Sequence, residues 1–111
     1  MTELTNKRCV PCEGGVPALD AAACAALMPQ LQPRWTLAGD SRALAATFEF
    51  KNYYHTTAFV NAVIYVAHRE DHHPDVNFGY KTCEVRYWTH AVGGLTENDF
   101  ICAAKIDALM G

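Results

Sequence analysis

Between residues 44 and 50 the chain alternates: Leu44, Ala46, Phe48 and Phe50 fall on one face, and Ala45, Thr47 and Glu49 on the other. This is the period of a strand with one buried side. After Asn52 the period changes, with Phe59, Ala62, Val63 and Val66 recurring at three and four residues and predicting the longest helix. Pro74 disfavours helical geometry in the residue before it, so this helix is expected to stop near His73 and to carry histidines at its C-terminus. Alternation then returns. Val76, Phe78 and Tyr80 oppose Asp75, Asn77 and Gly79, and Cys83, Val85, Tyr87 and Thr89 oppose Glu84, Arg86, Trp88 and His90, with Lys81-Thr82 as the hairpin between two strands.

Pro11, Gly14, Gly15 and Pro17 make residues 1–17 read as a flexible, extended N-terminal arm, leaving 18–111 as the domain. Asp20 is placed to cap a short helix whose stripe is Ala23, Cys24, Leu27 and Met28, ended by Pro29 and Pro33. Trp35 and Leu37 suggest a strand, followed by a turn at Gly39-Asp40-Ser41. Gly93-Gly94 breaks the chain. Thr96 then caps a final helix with Asp99 at its N3 position, and Ile101, Ala104, Ala108 and Leu109 are expected to form the inner face. The order αββαββα predicts an α+β fold, an antiparallel sheet with helices on one face.

A chain of 111 residues suits one domain, and 50% apolar with 19% charged residues is a globular composition. A net charge of -3 without a Lys/Arg cluster gives no basis for gripping a nucleic-acid backbone. No stretch approaches the ~18 apolar residues of a membrane span, and the polar start, Thr2 to Arg8, lacks a signal-peptide core, so a cytoplasmic protein is expected. Five cysteines, an odd number, read as reduced thiols, several buried, without a disulfide framework. Cys9 and Cys12 form a CxxC with no second pair at ligand spacing, read as two free thiols on the arm.

The candidate chemistry lies in His72-His73-Pro74, Tyr80, His90 and Asp99. Three imidazoles and a carboxylate at element ends suggest proton transfer. At a helix C-terminus the unpaired carbonyls would raise an imidazole pKa, Glu70 and Asp71 would add to that, and His68 would share a face with His72 one turn away. Singly, each residue has a plainer role: helix cap for the histidines and Asp99, solvated surface for His55 and His90, packing for Trp35 and Trp88. Together they favour chemistry. A zinc site from His68, His72, His73 and His90 fits poorly, since the helical HxxxH motif places a general-base Glu after its first His and Arg69 stands there.

These residues resemble the pterin-4a-carbinolamine dehydratase family, whose motifs are HHP, an aromatic six residues after the Pro, a TH dipeptide and Gly-Leu-x-x-x-Asp. Here they are His72-His73-Pro74, Tyr80, Thr89-His90, and Gly94-Leu95 leading to Asp99; the similarity extends through Trp35, Phe50-Lys51-Asn52 and Phe59. The resemblance implies a four-stranded antiparallel sheet with three helices on one side, and dehydration of 4a-hydroxytetrahydropterin to quinonoid dihydropterin without metal or organic cofactor. It further implies service to aromatic amino acid hydroxylases and assembly as a homo-dimer or homo-tetramer; mammalian members also act as dimerisation cofactors of a homeodomain transcription factor. Carried over by position, His72 and His90 would be the acid/base pair and His73 would chiefly bind and orient the pterin. Pro74, Thr89 and Trp35 would shape its pocket, with Asp99, Tyr80 and His68 in support. The family commonly has Glu four residues before the first motif histidine, where this chain has His68.

Overall fold

In the computed structural model, which describes residues 4–10 and 17–110, the predicted order is present. The elements are α1 (Ala21–Leu27), β1 (Thr36–Ala38), β2 (Ala43–Glu49), α2 (Tyr53–Glu70), β3 (Asp75–Phe78), β4 (Thr82–Tyr87) and α3 (Glu97–Leu109). The strands form one antiparallel sheet in the order β1-β2-β4-β3. Leu44, Ala46 and Phe48 of β2 and Cys83, Val85 and Tyr87 of β4 face the helices and are buried. Thr47, Glu49, Thr82 and Arg86 lie exposed on the opposite face, so the alternation legible in the sequence is the division between core and solvent. No helix among the described residues is long and apolar enough to cross a membrane.

The ends of α2 decide where the candidate histidines sit. Asn52 caps its start by accepting from the His55 N–H at 3.0 Å. At the other end Asp71 takes a left-handed conformation, φ 51°, and the His72 N–H turns back to the Ala67 carbonyl at 3.1 Å. The helix therefore stops at Glu70, short of the expected position near His73, because the left-handed cap turns the chain before Pro74 exerts its effect. His72 and His73 lie in the extended link to β3, and His68, in the last helical turn, is exposed. The shared helical face expected for His68 and His72 does not exist.

On α3 the inner face differs from the expected one. Phe100, Ile101, Cys102, Ala103, Ala104 and Ile106 are buried, while Ala108 and Leu109 are exposed. Coverage from several sides, by β2, α2 and the N-terminal segment, removes the one-sided stripe that periodicity detects. That segment corrects a second expectation: residues 4–10 are docked, not a flexible arm. Leu4 is buried, Lys105 Nζ donates to the Thr5 carbonyl at 2.9 Å, and Lys7 pairs with Glu97 at 3.0 Å. Val10 and Asn98 exchange two hydrogen bonds, at 3.1 and 2.7 Å. Pro11, Cys12, Gly14 and Gly15 lie outside the described residues. Glycine is required at Gly94, where a Cβ would lie 2.8 Å from that of Ala18.

Candidate active site

The link after α2, the end of β4 and the start of α3 meet around His72. Its Nε2 lies 2.6 Å from Asp99 Oδ1, and its ring stacks on Tyr87 with centroids 5.4 Å apart. Tyr87 donates its hydroxyl to the His72 carbonyl at 3.2 Å, fixing the backbone as well. Asp99 is fully buried and uses both oxygens: Oδ2 accepts from Thr89 Oγ1 at 2.8 Å and from the Thr96 N–H at 2.9 Å, closing the capping box of α3. The carboxylate that caps α3 is thus also the partner of the His72 ring. Burial pushes the His72 imidazole pKa down, but the Asp99 hydrogen bond and charge, with smaller help from Cys102 and Asp71, push it up further, so the net shift is upward.

His72 opens into a cleft of about 450 Å³ walled by Cys9, Val10, Glu70, His73, Trp88 and His90, among others. His90 follows β4 in a short 3-10 turn and stacks on Trp88, centroids 4.5 Å apart and planes 14° from parallel. His73 and His90 are exposed, with centroids 5.4 Å apart. Two solvent-facing imidazoles and one anchored imidazole thus share a concave surface of the size of a small bicyclic ligand's site. Among the described residues no three His, Cys, Asp or Glu side chains converge in a way that could hold a metal ion.

Glu70 forms the floor beside them. It is buried, accepts from the Cys9 N–H at 2.8 Å and pairs with Arg8 at 3.1 Å and more loosely with Lys105 at 3.9 Å. Burial alone would raise its pKa; the Cys9 N–H, Lys105 and Arg8 outweigh it and hold the carboxyl below its ordinary range. The sequence showed an acid beside the histidines, but not partners some sixty residues away on the arm.

The structure brings together His72, His73, Thr89, His90 and Asp99 and separates the rest of the predicted set. Trp35 is buried in the core, its indole N–H donating to Asp107 at 2.9 Å and its ring edge-on to Phe48, so it lines no part of the cleft. Tyr80 is 60% exposed in the β3–β4 turn, because β3 ends at Phe78, two residues short of the expected end at Tyr80. Its carbonyl accepts from Thr56 at the start of α2, about 20 Å along the helix from Glu70. Pro74 faces a shallow depression with Asp75, Val76, Asn77, Glu84 and Arg86, outside the histidine cleft. His68 is exposed and also outside it. Trp88, by contrast, is a wall of the site.

Comparison with known proteins gives one consistent result. A family model described as pterin 4 alpha carbinolamine dehydratase matches residues 17–109. A Nitrosomonas europaea protein provisionally named pterin-4-alpha-carbinolamine dehydratase is 57% identical over 107 residues, 96% of this chain and 93% of its own length. A Legionella pneumophila protein with the same provisional name is 49% identical over 109 residues, 98% of this chain and 96% of its own. A transcriptional coactivator/pterin dehydratase from Brucella melitensis superposes with a TM-score of 0.79 at 26% identity, covering 85% of this chain and 99% of that one. A pterin dehydratase-like RuBisCO assembly factor of the alpha-carboxysome superposes with a TM-score of 0.60 at 28% identity, covering 69% and 89%.

Proposed function

Because the chain belongs to the pterin-4a-carbinolamine dehydratase family, we propose that its histidine cleft converts 4a-hydroxytetrahydropterin to quinonoid dihydropterin and water. The observation that carries this reading is the buried Asp99 holding His72 at 2.6 Å on a cleft shared with His73 and His90. The reaction breaks the C4a–O bond and removes the N5 proton, forming the C4a–N5 double bond. His72, kept protonated by Asp99 through Nε2, gives a proton from its other ring nitrogen to the departing oxygen. His90 takes the N5 proton, and solvent at the cleft restores both rings. Each well-placed acid or base contributes about 10²- to 10⁴-fold. His73 binds and orients the pterin, and Trp88 keeps His90 in register through their stack. The product would re-enter the pterin cycle of an aromatic amino acid hydroxylase.

The test is dehydration of 4a-hydroxytetrahydropterin by purified protein in EDTA, with His72→Ala, His73→Ala and His90→Ala beside it. Full activity is expected under chelation; its loss and recovery with zinc would refute a metal-free mechanism. The first and third variants should lose kcat far more than affinity, and His73→Ala should lose affinity. Equal, small losses would favour a binding module without catalysis over the dehydratase.

A further inference from the structure

The docked N-terminal segment holds a thiol that the proposed dehydration does not use. Cys9 Sγ lies 3.6 Å from Cys102 Sγ, across 93 positions of chain, and the same thiol is 3.6 Å from the Asn98 carbonyl. The two sulfurs differ in setting. Cys9 is half-buried and lines the cleft, whereas Cys102 is fully buried on α3. The backbone around Cys9 is held on both sides, by Glu70 on its own N–H and by Asn98 on Val10.

We propose that Cys9 and Cys102 are a reversible oxidation site that a peroxide closes into a disulfide, clamping the N-terminal segment to α3 at the edge of the cleft. The pairing rests on thiol geometry and does not depend on the pterin reading. The Cys9 sulfur, reached through the cleft, attacks peroxide; the O–O bond breaks, leaving a Cys9 sulfenic acid and water. The Cys102 sulfur then attacks the Cys9 sulfur, the S–O bond breaks, and a second water leaves with the Cys102 proton. The sum is two thiols and hydrogen peroxide giving one disulfide and two waters. The shared contact splits the two acidities: it lowers the Cys102 pKa and raises that of Cys9, which burial and Glu70 also push up, so the first step falls to Cys9 by its access to the cleft and the second to Cys102 by its acidity. Reaching a bond of about 2.0 Å needs the sulfurs to close by roughly 1.6 Å.

The experiment treats the reduced full chain with hydrogen peroxide and maps unreduced peptides by mass spectrometry. A Cys9–Cys102 cross-link is expected, lost in Cys9→Ser and kept in Cys12→Ser, with Tm raised on the order of 10 °C and restored by dithiothreitol. A Cys9–Cys12 disulfide as the product, or Cys9 oxidised to sulfinic acid without a cross-link, would overturn the proposal.

Discussion

Asp99→Asn isolates the charge that organises the site while keeping its shape. The amide oxygen can still accept from Thr89 and the Thr96 N–H, so the α3 capping box survives, but the group facing His72 Nε2 becomes an NH₂ donor. A charge-assisted hydrogen bond inside the protein, worth about 1.5–3 kcal/mol, is replaced by a donor that only a neutral ring can accept. Burial, the largest influence on His72, is then opposed only by the smaller pull of Cys102 and Asp71, and its pKa should fall below the ordinary imidazole value. The sign sets the pH window. In the parent the folded pKa of His72 is raised, so the pair's stabilisation is fully present below the unfolded value of about 6.5 and is lost as pH rises through the folded pKa. Urea unfolding should show a deficit of about 1.5–3 kcal/mol near pH 6 that shrinks at higher pH. NMR titration of the His72 ring should show the downward shift directly, and kcat should drop by ~10²-fold or more. A deficit equal at every pH, or a His72 that titrates as in the parent, would refute the assignment.

Glu70→Gln should cost about 1–3 kcal/mol at neutral pH by leaving Arg8 and Lys105 facing a neutral amide, and should speed amide exchange at residues 8–10. Because the folded pKa of Glu70 is lowered, its contribution is present above its unfolded value near 4.5 and is lost below it; acid titration of parent and variant should therefore converge only under about pH 4.5. His68→Glu should leave the pH–rate profile of kcat/KM in place, since His68 is exposed and outside the cleft; a displacement of about one unit would show electrostatic contact with His72. Light scattering should find a dimer or tetramer, because β1 and β3 are open sheet edges and Tyr54, Ile64 and Tyr65 stand exposed on α2; a monodisperse monomer at micromolar concentration would refute this.

Periodicity and capping chemistry were enough, from sequence, for the order of elements, the buried faces of β2 and β4, the Asn52 start of α2 and the Thr96/Asp99 capping box. These depend on residues within a few positions of each other, where steric preference and local hydrogen bonding dominate. The motif histidines and Asp99 were legible for a similar reason, as polar groups clustered at predicted element ends. What only the tertiary structure decided involves partners distant along the chain. Asp99 meets His72 across 27 positions and Glu70 meets Cys9 across 61, contacts set by how α3 and the N-terminal segment dock and not by any local pattern. The end of α2 fell between the two cases. Pro74 marked a boundary, but the left-handed Asp71 brought it earlier, moving His68 away from His72 and turning His72 inward onto a carboxylate. Trp35 and Tyr80 went the other way, because their neighbourhoods were set by core packing and by a hairpin that leaves its first strand two residues early, which spacing in one dimension does not encode.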